Sequence, residues 1–114
     1  MKLNKTEFKK WIEALDSGKY KQGIGALQDE NKYCCLGVAC RILIPKEKLT
    51  FKYGNSISGG MPAQQENAPE WLKGISTNFK RKTGKEISEM NDDLKLKFPE
   101  IATMLELVYI HEAI

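Results

Sequence analysis

The sequence predicts a single small α+β domain over residues 1–114, with about three main helices packed on a short antiparallel sheet or hairpin. One observation behind this prediction is that apolar residues recur at helical spacing in separate segments of the chain. Another is that the intervening segments are short, polar and punctuated by glycine, which is typical of strands and turns. A chain of 114 residues has room for one hydrophobic core, and no repeat or linker divides it.

The first helix is predicted from about Lys5 to Ser17. Asn4 is a favourable N-cap, and Glu7 follows at the spacing of a capping box. Gly18 supplies the left-handed conformation that commonly ends a helix. The apolar residues between these signals form one stripe, namely Phe8, Trp11, Ile12 and Leu15.

A buried helix is predicted from about Cys35 to Leu43, ending near Pro45, which cannot continue a helix. Its apolar residues lie at helical spacing: Leu36, Ala39, Cys40 and Leu43. Gly37 is expected to mark close packing against another element, because glycine otherwise costs about 1 kcal/mol in a helix interior.

Short strands are predicted on both sides of this helix. Leu27-Gln28 and Tyr33-Cys34 flank a polar turn and form a hairpin. Residues 49–53 alternate between apolar and polar and predict a further strand. Residues 56–60 are expected to form a mobile loop, and Met61-Pro62 to begin an edge strand.

The C-terminal half predicts a short helix that begins near Asn67, includes Pro69 in its first turn and is closed by Gly74. Residues 75–85 are assigned to no element. Ile87 and Met90 are expected to form a short apolar turn before a polar run at residues 91–93.

The last helix is predicted from Phe98 to about His111, with Pro99 in its first turn. Its buried face is expected to comprise Ile101, Met104, Leu105 and Val108. Near its end, Tyr109 is expected on the surface and Ile110 in the core.

The charge balance excludes several classes of protein. The net charge is +3, from 18 basic and 15 acidic residues, which does not favour nucleic acid as an obligate partner. No apolar run approaches the roughly 20 residues of a membrane-spanning helix, and the first residues lack the apolar stretch of a signal peptide. We therefore expect the protein inside the cell.

The three cysteines, Cys34, Cys35 and Cys40, are expected to be reduced thiols packed in the core. A zinc site with His111 is the weaker interpretation, because adjacent cysteines diverge and a five-residue spacing is not one face of a helix. A Cys-His nucleophilic pair lacks an oxyanion motif. The sequence therefore predicts no catalytic residue, no metal and no cofactor.

Two further motifs are each better explained as part of a loop than as a binding site. Gly23-Ile24-Gly25 lacks the third glycine of a dinucleotide fingerprint, since Gln28 stands there, so these glycines are expected to shape a loop. The basic run Lys80-Arg81-Lys82, with Lys85, attracts phosphates or an acidic protein surface, but a solvated loop is the favoured interpretation.

Three stretches of the sequence are the basis of a resemblance to a protein family. The first is Trp11 to Gln22, which ends in Ser-Gly-Lys-Tyr-Lys-Gln. The other two are Tyr33-Cys34-Cys35-Leu36-Gly37-Val38-Ala39-Cys40, and Met90-Asn91-Asp92 with Phe98-Pro99-Glu100-Ile101-Ala102. Together they resemble a family of small, mostly hypothetical proteins encoded by tailed phages and prophages. The chain departs from this family by lacking a glycine turn after Asn91-Asp92 and by carrying Arg41 where an acidic residue is common. The resemblance implies a phage accessory protein in the host cytoplasm and carries no catalytic residue.

The first hypothesis is an anti-defence protein that sequesters a nucleotide-derived host immune signal by stoichiometric binding. A site across the interface of a homo-oligomer is one form of this hypothesis. A base would stack on Trp11 or Tyr20, and Lys19, Lys21 and Arg41 would supply positive charge for the phosphates. Hydrogen bonds to the polar edges of the ligand would come from Gln22, Asn91 and Asp92. It predicts a pocket lined by Trp11, Tyr20, Gln22 and Asn91. Asn91-Asp92 has an alternative interpretation as a helix cap or turn.

Other classes of function stay open. The protein is alternatively a direct inhibitor of a host defence effector such as a nuclease, in which case the surface around those residues is smooth. A small DNA-associated phage regulator is permitted by the mild positive charge. An enzyme is the least favoured hypothesis, because the sequence contains no recognisable catalytic motif.

Overall fold

The computed structural model describes residues 2–49, 51–53, 56–57, 62 and 65–113. Within them the helices are α1 (Lys5–Asp16), α2 (Cys35–Leu43), α3 (Glu70–Thr83), α4 (Ile87–Asp92) and α5 (Phe98–Ala113), and a 3-10 turn spans Lys46–Lys48. The strands are β1 (Lys21–Gln22), β2 (Gln28–Asp29), β3 (Lys32–Tyr33), β4 (Phe51–Tyr53) and β5 (Ser56–Ile57). This arrangement confirms the predicted α+β class.

The strands form one small sheet in the order β1-β3-β2-β5-β4. The predicted hairpin is confirmed, since β2 and β3 pair antiparallel on either side of a turn in which Glu30 has a φ of 56°. Strand β1 pairs with β3 in parallel, so the sheet is mixed. The edge formed by β1 brings Gln22 and the glycine-containing segment after it beside the start of α2.

Helix α1 forms as the sequence predicts. The Asn4 side chain accepts a hydrogen bond from the backbone N–H of Glu7 at 3.0 Å, and Gly18 after the helix has a φ of 75°. Its apolar stripe is buried and packs against α5 and α2. Phe8 and Trp11 meet Trp71 and Tyr109 in an aromatic cluster with ring centroids 5.8 to 6.3 Å apart.

Helix α2 is the centre of the core. Its N-cap is Cys34, whose Sγ accepts a hydrogen bond from the Gly37 N–H at 3.4 Å. Residues 34–40 are all buried. A Cβ atom at Gly37 would overlap the backbone carbonyl of Leu27, which confirms that this glycine marks a close approach between two segments.

The predicted end of a helix at Gly74 is wrong. Helix α3 runs through Gly74 and ends at Gly84, which has a φ of 79°. Its buried apolar residues are Trp71, Leu72, Ile75 and Phe79, so the stripe continues past Gly74 and tertiary burial outweighs the low helix propensity of glycine. The basic run Lys80-Arg81-Lys82 therefore lies on the last turn of a helix, not in a loop.

Two details of α5 differ from the prediction. Met104 is 41% exposed because Ala102, beside Ile101, occupies the buried stripe instead. The backbone leaves helical geometry at Tyr109, with φ −108° and ψ 16°, and this kink exchanges the expected positions of two side chains. Tyr109 is buried with its hydroxyl donating to Asn78 Oδ1 at 2.8 Å, whereas Ile110 is 49% exposed.

The region between α2 and α3 also differs in part. Residues 56–57 form β5, which pairs with β2 and β4, so this part of the expected loop is a strand. The rest of that loop, residues 58–60, and Met61 of the expected edge strand lie outside the described residues, and Pro62 is not in a strand. Strand β4 comprises Phe51–Tyr53, so Leu49, the first residue of the predicted strand, lies outside it and is buried.

The length and hydropathy of each helix determine whether it could span a membrane. Among the helices that the structure describes, none combines the length and apolar character that crossing a bilayer requires.

A pair of glycine substitutions tests the contact between α2 and Leu27. Gly37→Ala is expected to lower the free energy of unfolding by about 3 kcal/mol or more, because the added methyl group meets backbone that cannot move aside. Gly74→Ala, in a helix with open space around its Cα, is the control and is expected to raise it by about 0.5–1 kcal/mol. Urea denaturation measures both. Equal changes in the free energy of unfolding for Gly37→Ala and Gly74→Ala would contradict the close approach of Gly37 to Leu27.

Candidate functional site

Asn91 is the centre of a buried polar junction that joins three segments of the chain. Its Oδ1 accepts hydrogen bonds from Gln22 Nε2 at 3.0 Å and from the Cys35 N–H at 3.2 Å. Its Nδ2 donates to the Gly23 carbonyl and to Asp92 Oδ1, both at 2.8 Å. Since both protons and both lone pairs of the amide are used, Asn91 has no hydrogen-bonding capacity left for a ligand.

The neighbours of Asn91 extend this junction. Gln22 Nε2 also donates to the Leu96 carbonyl at 2.7 Å, and Asp92 Oδ1 accepts from the Gly25 N–H at 3.1 Å. The structure thus brings together Gln22, Asn91 and Asp92, three of the residues that the ligand hypothesis groups. Their hydrogen bonds to one another and to the backbone make the polar junction a clamp between β1, α2 and α4.

Trp11 lies elsewhere, inside the core. It is 0% exposed, its Nε1 donates to the Cys35 carbonyl at 2.8 Å, and its ring packs on Phe8 and Trp71. The indole therefore has no open face on which a base could stack. The indole thus ties α1 to the first turn of α2 through this hydrogen bond while it fills the core.

The remaining predicted residues lie nearer the surface. Lys19 and Lys21 are exposed, whereas Arg41 is half-buried on α2. Tyr20 is half-buried and packs edge-on against Tyr33 with ring centroids 5.5 Å apart. Lys19 and Tyr20 line a hollow of about 380 Å³, which we call the Tyr20 hollow, together with Lys10, Glu13, Ala14, Ser17 and Ile42.

The three thiols are free and buried around α2. Burial raises the pKa of Cys34 to about 11 and that of Cys40 to about 12, and it raises the pKa of Cys35 well above 9.0. At neutral pH all three are therefore protonated, which makes them poor nucleophiles and poor metal ligands. Within the described part of the chain, no three His, Cys, Asp or Glu side chains are grouped to hold a metal ion.

A groove between α1 and α5 is a feature that the sequence did not indicate. This α1–α5 groove has a volume of about 440 Å³, and its apolar lining consists of Phe8, Ile12, Leu107 and Ile110. Leu107 is 63% exposed and Ile110 49%. The sequence does contain a signal for the groove, because α5 has more apolar residues than a single buried face requires.

The end of α3 holds a second surface feature. The Lys80 Nζ lies 3.3 Å from Glu86 Oε1, and both side chains are more than half exposed. Together with Ser76, Thr77 and Arg81 they line a pocket of about 440 Å³, which we call the α3 pocket. The basic run in the sequence was the signal for it, although the hydroxyl groups beside that run were not singled out.

The polar junction makes a testable contribution to stability. Asn91→Ala is expected to lower the free energy of unfolding by about 3 kcal/mol, because it leaves the buried N–H of Cys35 and the carbonyl of Gly23 without partners. Asn31→Ala removes the same side chain from an exposed turn and is expected to cost less than about 0.5 kcal/mol. Chemical denaturation compares the two. A small effect of Asn91→Ala would show that the clamp is dispensable.

The comparisons with known proteins concern mainly the N-terminal half of the chain. No curated protein matches the chain, and no solved structure matches it. A family model described as a domain of unknown function, DUF8296, matches residues 3–61, which include α1, the five strands and α2. Because these residues are more than half of the 114 in the chain, the protein belongs to the DUF8296 family.

Proposed function

We propose that this protein acts by stoichiometric binding to another protein, which places an amphipathic helix in the α1–α5 groove. The observation that carries the proposal is the exposure of Leu107 and Ile110 beside the groove floor formed by Phe8 and Ile12. Adjacent exposed apolar side chains rimmed by polar residues are typical of interaction sites, since leaving them in water forgoes the free energy of burial.

The shape of the groove favours a helix as its occupant. Each wall is one face of a helix, with lining residues at i, i+3, i+4 and i+7: Lys5, Phe8, Lys9 and Ile12 on α1, and Thr103, Glu106, Leu107 and Ile110 on α5. A third helix packs into such a groove with apolar residues at the same spacing. The 12 residues of α1 extend over about 18 Å, which accommodates about three turns of a guest helix.

The charges on the two rims indicate which guest helix fits best. Lys5 and Lys9 lie along the α1 rim, and Glu106 lies along the α5 rim. A guest helix with acidic residues on the side that faces α1 and a basic residue on the side that faces α5 is complementary to both. Exposed rim charges of this kind mainly set orientation and partner choice, while the apolar floor supplies affinity.

The resemblance to small phage proteins supports a host protein as the partner. Under this proposal the protein is a phage accessory protein that inhibits a host defence effector in the host cytoplasm. Binding and not catalysis is the proposed mode of action, because the surface offers a preformed apolar groove while the thiols, its strongest candidate nucleophiles, are buried and protonated.

Substitution at the groove tests the proposal. The wild-type protein, Leu107→Asp and Ile24→Asp are each immobilised and exposed to host lysate, and a peptide spanning the amphipathic helix of any stoichiometric partner is then titrated by calorimetry. Leu107→Asp is expected to weaken peptide binding by about tenfold or more, because it puts a charge on the groove. Ile24→Asp, at a side chain that is 60% exposed elsewhere, is the matched control and leaves binding unchanged.

Two outcomes would overturn the proposal. If light scattering shows a wild-type dimer that Leu107→Asp dissociates, the occupant of the groove is a second copy of this chain. If the partner peptide binds Leu107→Asp as tightly as the wild type, the groove is not the docking site. Both variants are expected to stay folded, since both side chains are exposed in the folded state, and thermal denaturation checks this.

The second candidate function is sequestration of a nucleotide-derived immune signal, and the Tyr20 hollow is the observation that favours it. Lys10 and Lys19 line the hollow together with Tyr20, against the single carboxylate of Glu13. Phosphates and a base are the ligand groups that such a set attracts. Unlike the predicted pocket, the hollow excludes Trp11, Gln22 and Asn91, which lie in the core or in the polar junction.

Calorimetry with a panel of cyclic and ADP-ribose-type nucleotides tests this second candidate. Binding with a Kd of about 1 μM or below is expected for the cognate ligand, and Tyr20→Ala is expected to weaken it about tenfold. Lys46→Gln, which removes an exposed charge outside the hollow, serves as the control. The absence of heat with every nucleotide at protein concentrations well above 1 μM (about the highest useful Kd) would reject the candidate.

A further inference from the structure

Helix α5 carries an exposed apolar side chain that the α1–α5 groove does not use. Of the large apolar side chains that the structure describes, those left exposed on this helix are Met104, Leu107 and Ile110. Leu107 and Ile110 line the groove, but Met104 does not. A single helix bound in the groove therefore leaves Met104 in water.

The exposed side of α5 presents two stripes that share Leu107. The groove stripe follows i, i+3, i+4 and i+7 along Thr103, Glu106, Leu107 and Ile110. The second stripe follows i, i+4 and i+7 along the exposed residues Glu100, Met104 and Leu107. Because an α-helix turns by about 100° per residue, Met104 lies about 60° around the axis from Leu107, on the side away from Glu106.

The size of the groove indicates that a stable partner contacts more than the groove. Stable complexes bury about 800 Å² on each partner, from roughly 20–30 residues a side. Eight residues line the α1–α5 groove. A partner that binds stoichiometrically is thus expected to cover adjoining surface as well, and the second stripe of α5 supplies the adjoining apolar side chain.

We infer that the partner of the α1–α5 groove is a helical hairpin, whose first helix lies in the groove and whose second helix packs on Glu100, Met104 and Leu107. This inference rests on the proposed function, because it names the partner of the same site. Two guest helices that touch each other and α5 lie about 60° apart around the α5 axis, since three interaxial distances of about 8–10 Å form a nearly equilateral triangle. The second helix therefore reaches Met104 while the first stays in the groove.

The second stripe also indicates the chemistry of the second guest helix. Met104 is unbranched and polarisable, so it adapts to an apolar side chain placed against it. Glu100 is exposed, and its Oε1 accepts a hydrogen bond from the Lys97 N–H at 2.9 Å, which holds the carboxylate at the start of α5. A basic residue beside the apolar residue of the guest is complementary to this carboxylate.

Two synthetic peptides test the inference without the natural partner. The first is a single amphipathic helix of about three turns, with leucine at i, i+3, i+4 and i+7, glutamate on the side that faces α1 and lysine on the side that faces Glu106. The second joins this helix by a glycine-containing turn to another helix, which places leucine against Met104 and lysine against Glu100. A hairpin with serine in place of the leucines of its second helix is the matched control peptide.

Calorimetry compares the affinities. The hairpin is expected to bind the wild type about tenfold more tightly than the single helix, because its second helix buries Met104. Met104→Lys is expected to remove this gain and to change binding of the single helix by less than about twofold. Lysine preserves α5, since it is a good helix former and follows Glu100 by four residues. Leu94→Lys, at an exposed leucine outside α5, is the control variant and retains the gain.

Methyl chemical shifts of Met104 and Leu107 separate failure of this inference from failure of the proposed function. If the single helix shifts Leu107 and the hairpin binds no more tightly, the groove is a docking site but its partner is not a hairpin. If the single helix by itself shifts Met104, one guest helix covers both stripes, and the second helix is excluded. If neither peptide binds, the groove and the hairpin are both rejected.

Discussion

The hydrogen bonds of the Asn91 side chain connect parts of the chain that lie far apart in sequence. The amide is hydrogen-bonded to Gln22 at the end of β1, to Gly23 after it, to the first N–H of α2 and to its own neighbour Asp92. The Gly23 carbonyl and the Cys35 N–H are backbone groups that would cost free energy if they were buried without a partner. The position of α4, which contains Asn91, therefore fixes the positions of the glycine-containing segment and of α2. The close approach of Gly37 to Leu27 then sets how deeply α2 enters the core.

This arrangement separates the residues that hold the fold from the surfaces that remain for binding. Trp11, the cysteines and the polar junction are occupied by internal contacts, and the pKa values of the thiols reflect that burial. The α1–α5 groove, the Tyr20 hollow and the α3 pocket lie outside this centre. A small domain can thus leave several concave surfaces open to solvent because its structural polar contacts are concentrated in one place.

Local signals accounted for most of the fold. The N-cap at Asn4, the breaks at Gly18 and Pro45 and the polar turn of the hairpin gave the correct positions of α1, α2 and the β2–β3 pair. The end of α3 was missed because Gly74 resembles a helix terminator, yet the apolar stripe on both sides of it gains more from burial than the glycine costs. The kink at Tyr109 has no local signal either, since a hydroxyl partner on α3 stabilises it.

The sequence by itself determined the α+β class, the limits of the first two helices and the packing role of Gly37, because caps, breakers and apolar periodicity act over a few residues. It also grouped Gln22, Asn91 and Asp92, which do meet in space. Only the tertiary structure decided that these side chains face one another and not a cleft, and that Leu107 and Ile110 border an open groove. Burial and hydrogen-bond satisfaction depend on segments more than 50 residues apart (Cys35 and Asn91 are separated by 56), and no local pattern encodes them.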